Sequence, residues 1–257
     1  MQLQLVDVSI WIILICVVAA FLAGFVDAVA GGGGLIQLPV LLWSFPSAPL
    51  ASILGTNKAV SVVGTSVAAN TYRKQIQVNA KQLIPMLGAA FVGSLCGALL
   101  ATNVSREFFE PIILVILIAV GSFTILRPEF GKLEKTRVTS PAVVPLVGLV
   151  IGFYDGLIGP GTGMFLLFSL VSFVGTSFLG ASAIAKFVNV ATNLAALVIF
   201  IPGGHVIWLV AALMAPANLI GGYLGARTAI DRGSSFVRLV FLTVLVVLVV
   251  RLIATIK

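Results

Sequence analysis

Charge is what this chain has least of. Its 8 acids and 15 bases make up 9% of 257 residues, where a soluble domain carries about a quarter. With 60% hydrophobic residues and a mean hydropathy of +1.20, an ordinary soluble fold is excluded. Cysteine and histidine are equally scarce. Cys16 and Cys96 lie in apolar segments without C-x-x-C spacing, which excludes a disulfide framework and predicts two buried packing residues. His205 stands alone beside Gly203-Gly204, with no neighbouring Cys or acid cluster, so neither a metal nor a cofactor is expected. The chain has no Walker motif, so ATP hydrolysis within it is not expected.

What is present is apolar sequence in long runs, at roughly 10–30, 48–72, 83–102, 108–126, 142–158, 180–201, 206–229 and 236–256. Most approach the ~20 residues that carry a helix across ~30 Å of hydrocarbon. Backbone groups in lipid must be satisfied internally, so these runs are helices rather than open strands. The expected fold is an all-α polytopic protein in a lipid bilayer, with about eight full crossings. Of the bases behind the net charge of +7, Arg73, Lys74 and Lys81 sit in one short connection and Arg127, Lys132, Lys135 and Arg137 in another. That distribution places loops 73–81 and 127–137 in the cytoplasm and argues against nucleic-acid binding. Ala28-Val29-Ala30 imitates a signal-peptide cleavage site, but no Lys or Arg precedes it, so the segment reads as a retained membrane helix.

The chain also repeats itself at an offset of 128 residues. Gly24-Phe25-Val26-Asp27 returns as Gly152-Phe153-Tyr154-Asp155, Lys58 maps onto Lys186, and Gly93 and Gly97 map onto Gly221 and Gly225. Duplicated halves in so apolar a chain mark a transporter built from structural repeats. The expected division is 1–128, a charged linker at 129–140, and 141–257. In each half the second apolar piece is short and follows a Gly-bearing break. Leu35–Phe45, which holds Pro39, follows Gly31-Gly32-Gly33-Gly34; Met164–Phe173 follows Gly159-Pro160-Gly161-Thr162-Gly163. Paired short, broken segments point to a transporter's binding site. If they count as crossings, each half has five and the two repeats are inverted; if they are re-entrant, each half has four and the repeats are parallel. Inversion is favoured because the uncharged 201–205 turn answers the basic 73–81 loop.

Each half keeps one acid and one base inside apolar sequence. Asp27 and Asp155 would each cost about 2.5–3.5 kcal/mol at the bilayer centre. They read either as proton- or cation-coupling groups or as acceptors that cap the break. Lys58 and Lys186 head polar stripes at i, i+3 and i+7: Lys58, Ser61 and Thr65, then Lys186, Asn189 and Asn193, with Asn57 and Asn70 nearby. Either the lysines meet an anionic substrate, or each pairs with an aspartate while the stripe joins helices. Gly31, Gly32, Gly33 and Gly34, with Gly161, Thr162 and Gly163, can turn backbone N–H groups towards an anion at the start of the next helix. Gly93/Gly97 and Gly221/Gly225 read as plain helix-packing positions.

The string Gly24-Phe25-x-Asp27-x-x-Ala30-Gly31-Gly32-Gly33-Gly34, Pro39 and Thr56-Asn57-Lys58 resembles the TauE/SafE family of sulfite and organosulfonate exporters. The resemblance covers nearly the whole chain. It implies a plasma-membrane transporter, not an enzyme, whose substrates are sulfur-containing anions. Pro160 and Thr162 depart from the second glycine run of many relatives, so the two breaks are not chemically equivalent. A passive anion channel or membrane scaffold, and an intramembrane aspartyl protease using both aspartates, are the readings from other classes.

Overall fold

The computed structural model describes residues 9–105 and 142–255. All regular structure among them is helical. In chain order the helices are α1 (Ile10–Ala30), α2 (Gly34–Ser44), α3 (Leu50–Arg73), α4 (Ala80–Ala101), α5 (Val143–Leu157), α6 (Thr162–Ser169), α7 (Phe178–Phe200) and α8 (Trp208–Thr255). A π-helical turn, Leu170–Val174, extends α6, and α8 is broken by the non-helical backbone of Gly233. The 108–126 run and the 127–137 and 129–140 connections fall outside the described residues.

Four helical spans among those described are long and apolar enough to cross a membrane: Ile10–Ala30, Leu83–Ala101, Phe178–Phe200 and Trp208–Val240. Eight were expected, and the difference has visible causes. Helix α3 is 24 residues long, but its polar stripe lowers its hydropathy. Helix α5 begins just past undescribed sequence. Outward faces are apolar: Leu14, Val18 and Leu22 on α1 and Leu194 and Val198 on α7 are exposed, as suits side chains bathed in hydrocarbon. Cys96 is exposed too, so the expectation of two buried thiols holds for Cys16 alone. An apolar setting in a membrane helix does not distinguish a core face from a lipid face.

Chain direction follows from a few contacts. Ser44 accepts a hydrogen bond from the Cys16 thiol (3.4 Å), so α2 folds back along α1 as a hairpin. Helices α3 and α7 are antiparallel: Gly55 lies beside Phe200, Thr65 beside Asn193 and Tyr72 beside Ser182. Arg73, Lys74, Arg227 and Arg232 gather at one end, where α1 and α3 finish and α7 begins. We call this the basic end. At the opposite, neutral end the connections 45–49, 102–105 and 201–207 carry no Lys or Arg. All three tryptophans, Trp11, Trp43 and Trp208, stand exposed there, as they do at a membrane–water interface.

The tightest packing crosses between the halves. Helix α1 lies along α8, and α4 along α5, each pair parallel. A methyl group on Gly24 would collide with the Asn218 carbonyl, and one on Gly152 with the Ala90 carbonyl. Gly221 approaches Phe21 as Gly93 approaches Leu149, and Gly225 meets Phe25 as Gly97 meets Phe153. Every pair in this set is matched by another at an offset of 128. Small residues let backbones touch where hydrocarbon supplies no hydrophobic drive.

Gly24→Val should therefore lower the thermal unfolding temperature in detergent by an amount equivalent to about 1–3 kcal/mol. Gly88→Ala, where an added methyl group meets nothing within 4 Å, should leave it unchanged or raise it.

Candidate functional site

The site begins where α1 stops. Its last four carbonyls have no partners within the helix and cannot turn to water. Gly31 adopts a left-handed conformation (φ 82°) and returns its N–H to the Asp27 carbonyl at 2.8 Å. The Ala28 carbonyl accepts from Tyr72 Oη at 2.9 Å, and the Val29 carbonyl from Ser182 Oγ at 2.9 Å. Lys186 Nζ donates to the Asp27 carbonyl and to Asp27 Oδ2, the latter at 2.7 Å. Side chains of α3 and α7 thus complete a helix end that the break leaves open, and a cation sits at its negative pole.

The second break is built the same way with different parts. Lys58 Nζ lies 2.7 Å from Asp155 Oδ2, and both groups are buried. Thr162, which stands where the first half has Gly34, donates its hydroxyl to Asp155 Oδ1 at 2.6 Å. Tyr154 donates to the Pro160 carbonyl and sets its ring edge-on to Phe165, with centroids 5.1 Å apart. The breaks also touch each other: Gly31 packs backbone to backbone on Gly163, and Gly34 faces Pro160. Gly33 caps α2 and Gly161 caps α6, neither with a side-chain hydrogen bond at the N-terminus.

The four charged residues therefore pair crosswise. Asp27 of the first half holds Lys186 of the second, and Asp155 of the second holds Lys58 of the first. In this conformation both ammonium groups are engaged by carboxylates. The two pairs do not converge on one pocket. Each lysine precedes the Thr65–Asn193 contact by seven residues, about 10 Å of helix, on antiparallel helices. Lys58 thus lies towards the neutral end and Lys186 towards the basic end.

Between them runs the polar stripe. Asn193 Nδ2 donates to Thr65 Oγ1 (3.4 Å), Ser61 is half-buried, and the Asn189 side-chain oxygen is buried with no partner. Asn70 does not join it; it is exposed and accepts from Arg73 at 3.3 Å. Sequence reasoning named Asn57 but missed Gln37 and Asn218, which join it in a buried amide chain beside the stripe. Gln37 donates to Asn57 Oδ1 (2.8 Å) and accepts from Asn218, which also donates to the Ala20 carbonyl (2.9 Å). The 128-residue offset maps these three onto Phe165, Ala185 and Ala90, so the comparison of halves that exposed the lysines concealed the amides. Their signal was polar residues inside apolar helices, without a repeat. Among the described residues no cluster of His, Cys, Asp or Glu could hold a metal ion.

The profile described as Sulfite exporter TauE/SafE matches residues 16–252. The chain belongs to the TauE/SafE family. Among its relatives, a probable membrane transporter protein (ORF9) of Sinorhizobium sp is 35% identical over 96% of this chain and 95% of its own length. A probable membrane transporter protein of Haemophilus influenzae is 33% identical over 90% and 91%. The probable membrane transporter protein YfcA of Escherichia coli is 34% identical over 85% and 81%. No solved structure matches this TauE/SafE chain. It is a membrane transporter rather than an enzyme, and its apolar helices suit that role.

Removing one partner of either pair strands a buried charge. Lys186→Met should destabilise this TauE/SafE protein by about 3–5 kcal/mol, read as a lower unfolding temperature. Adding Asp27→Asn to the same chain should recover most of the loss. A double variant as unstable as the single would mean that the two groups are not energetically coupled.

Proposed function

We propose that this TauE/SafE transporter moves a small anion, sulfite or an organosulfonate, by alternating access of two inverted repeats, residues 1–128 and 141–257. The observation that carries the reading is the crosswise ion pairing, with one pair on each side of the central Thr65–Asn193 contact. A pair joining the two halves holds its own side shut, and parting it opens that side. The pairs are alternates by position, as alternating access requires. Antiparallel α3 and α7, and contacts that recur at the 128-residue offset, support inversion.

The carboxylates also indicate what the lysines bind. An ammonium group that holds a carboxylate oxygen in a dry setting, as Lys186 holds Asp27 Oδ2, will hold a sulfonate or sulfite oxygen by the same kind of charge-assisted hydrogen bond. Substrate binding then means exchange: the anion replaces Asp27 or Asp155 on its lysine. Asn57, Ser61, Thr65, Asn189 and Asn193 supply hydrogen bonds along the path. The starts of α2 (Gly31 to Gly34) and α6 (Gly161, Thr162 and Gly163) present N–H groups without side-chain caps. Sulfite comes from the family's description; the choice among oxyanions is this reading's own. The basic end faces the cytoplasm of a plasma membrane, with loop 73–81 inside.

Uptake into proteoliposomes checks this. Sulfite or sulfoacetate flux should saturate with concentration, and Lys58→Ala and Lys186→Ala should each reduce it about tenfold or more, the loss of one charged hydrogen-bond donor. Undiminished flux in both variants removes the lysines from the mechanism, and flux that never saturates indicates a channel.

A further inference from the structure

Side-chain amides buried among the described residues are Gln37, Asn57, Asn189, Asn193 and Asn218. Gln37, Asn57 and Asn218 bond to one another, and Asn193 donates to Thr65. Asn189 differs from all of these. Its Oδ1 is buried with no partner in a residue only 6% exposed, and among the described residues its Nδ2 donates no hydrogen bond. Hydroxyls nearby are spent on the backbone. Thr192 Oγ1 donates to the Asn189 main-chain carbonyl (3.2 Å), and Ser94 Oγ to the Thr192 carbonyl (2.7 Å). A polar group left unsatisfied in a dry interior costs stability, and it marks a place for a partner from outside the chain.

The place of this amide tells what that partner is. Asn189 shares one face of α7 with Lys186, which meets Asp27 of α1, and with Asn193, which meets Thr65 of α3. It follows Lys186 by three residues, ~5 Å along the helix. Its match at the 128-residue offset is Ser61, which carries one polar atom instead of two. The amide therefore belongs to the Lys186 side alone.

We infer that Asn189 is a specificity-determining residue: it selects anions that carry an O–H or N–H donor a few atoms from their charged group. This rests on the anion-transport reading above and narrows its substrate class. An amide offers one acceptor and one donor end, whichever way it is turned. The oxygens of an ionised sulfonate accept and never donate, so they serve Lys186 and the amide N–H but leave the amide oxygen stranded. A hydroxyl or ammonium group on the same molecule supplies the missing donor. Long side chains on a helix lean towards its N-terminus, which carries the Lys186 ammonium away from Asn189. The donor must then stand on a short carbon chain, as in a hydroxyalkane- or aminoalkanesulfonate. A site that holds such a group rejects the analogue lacking it, because the site's own polar atom goes unpaired.

Calorimetric titration of the purified full-length protein with two anions of nearly equal size tests this. 2-Hydroxyethanesulfonate carries a hydroxyl where propane-1-sulfonate carries a methyl group. Wild type should bind the hydroxyl-bearing anion about tenfold more tightly, the worth of one hydrogen bond that relieves a buried orphan. Asn189→Leu, similar in volume and without polar atoms, should abolish the preference while still binding both anions. Asn189→Ala makes the same comparison should the leucine variant fail to fold. Equal affinities in wild type, or a preference that survives in the variant, overturns the role of Asn189 and leaves anion binding standing. A wild type that binds neither probe, nor sulfite, nor sulfoacetate overturns the anion-transport reading, and this inference with it.

Discussion

Everything in the centre of this protein follows from one constraint: hydrocarbon satisfies neither a charge nor a broken helix end. Helix α1 stops inside the bundle, so the carbonyls of Asp27, Ala28 and Val29 need donors from elsewhere in the chain. Tyr72, Ser182 and Lys186 supply them from α3 and α7. Lys186 in turn needs a counter-charge, and the Asp27 carboxylate provides it on the same helix turn. The break is therefore not a defect that the fold tolerates. It is the acceptor around which a cation, a phenol and a hydroxyl are arranged.

The donors do not come only from the neighbouring turns. Each aspartate finds its lysine in the other half, and each half's first helix packs along the other half's fourth. Separating the halves would strand three buried charges and a half-buried fourth, and expose helix faces that only close backbone contact makes favourable. The small residues and the ion pairs serve the same joint by different means. Glycines at positions 24, 93, 152 and 221 allow the approach, and the ion pairs fix which residues face each other across it.

Much of this could be read from the sequence. Charge is so rare in the chain that Asp27, Asp155, Lys58 and Lys186 stood out, and the 128-residue offset tied them into two sets. The short α2 and the inequivalence of the breaks followed from Gly, Pro and Thr at known places, whereas the fold-back of α2 along α1 did not. What could not be read was partnership. Periodicity puts Lys58, Ser61 and Thr65 on one face, but it does not say whether that face meets an aspartate or an anion. It also gave no depth, so nothing indicated that the lysines lie on opposite sides of the centre. Cys96 went the wrong way because lipid and protein interior look alike to an apolar residue. Gln37 and Asn218, which join Asn57 in the amide chain, were hidden by the method that found the rest, since repeat matching discards what only one copy has.

That unshared set has a physical meaning on the inverted-repeat reading. Two copies with identical side chains would make the inward- and outward-facing forms equivalent by a two-fold rotation, and so equal in energy. Each residue present in one copy alone tilts the balance. Thr162 tightens the pair near the neutral end, and glycine at position 34 leaves the pair near the basic end without a hydroxyl. Tyr154 braces the second break against Pro160, whereas Val26 at the matching place has no group to donate. The Gln37–Asn57–Asn218 chain ties α2 to α3 and α8, while Phe165 stands where Gln37 has its match. Most of these differences fall at the breaks or on the ion pairs, where a small free energy decides which side opens. Duplication supplies two equivalent states, and divergence at these few positions makes them unequal. On that reading the inequality sets which form is favoured at rest, and it is written in hydroxyls and amides rather than in the charges themselves.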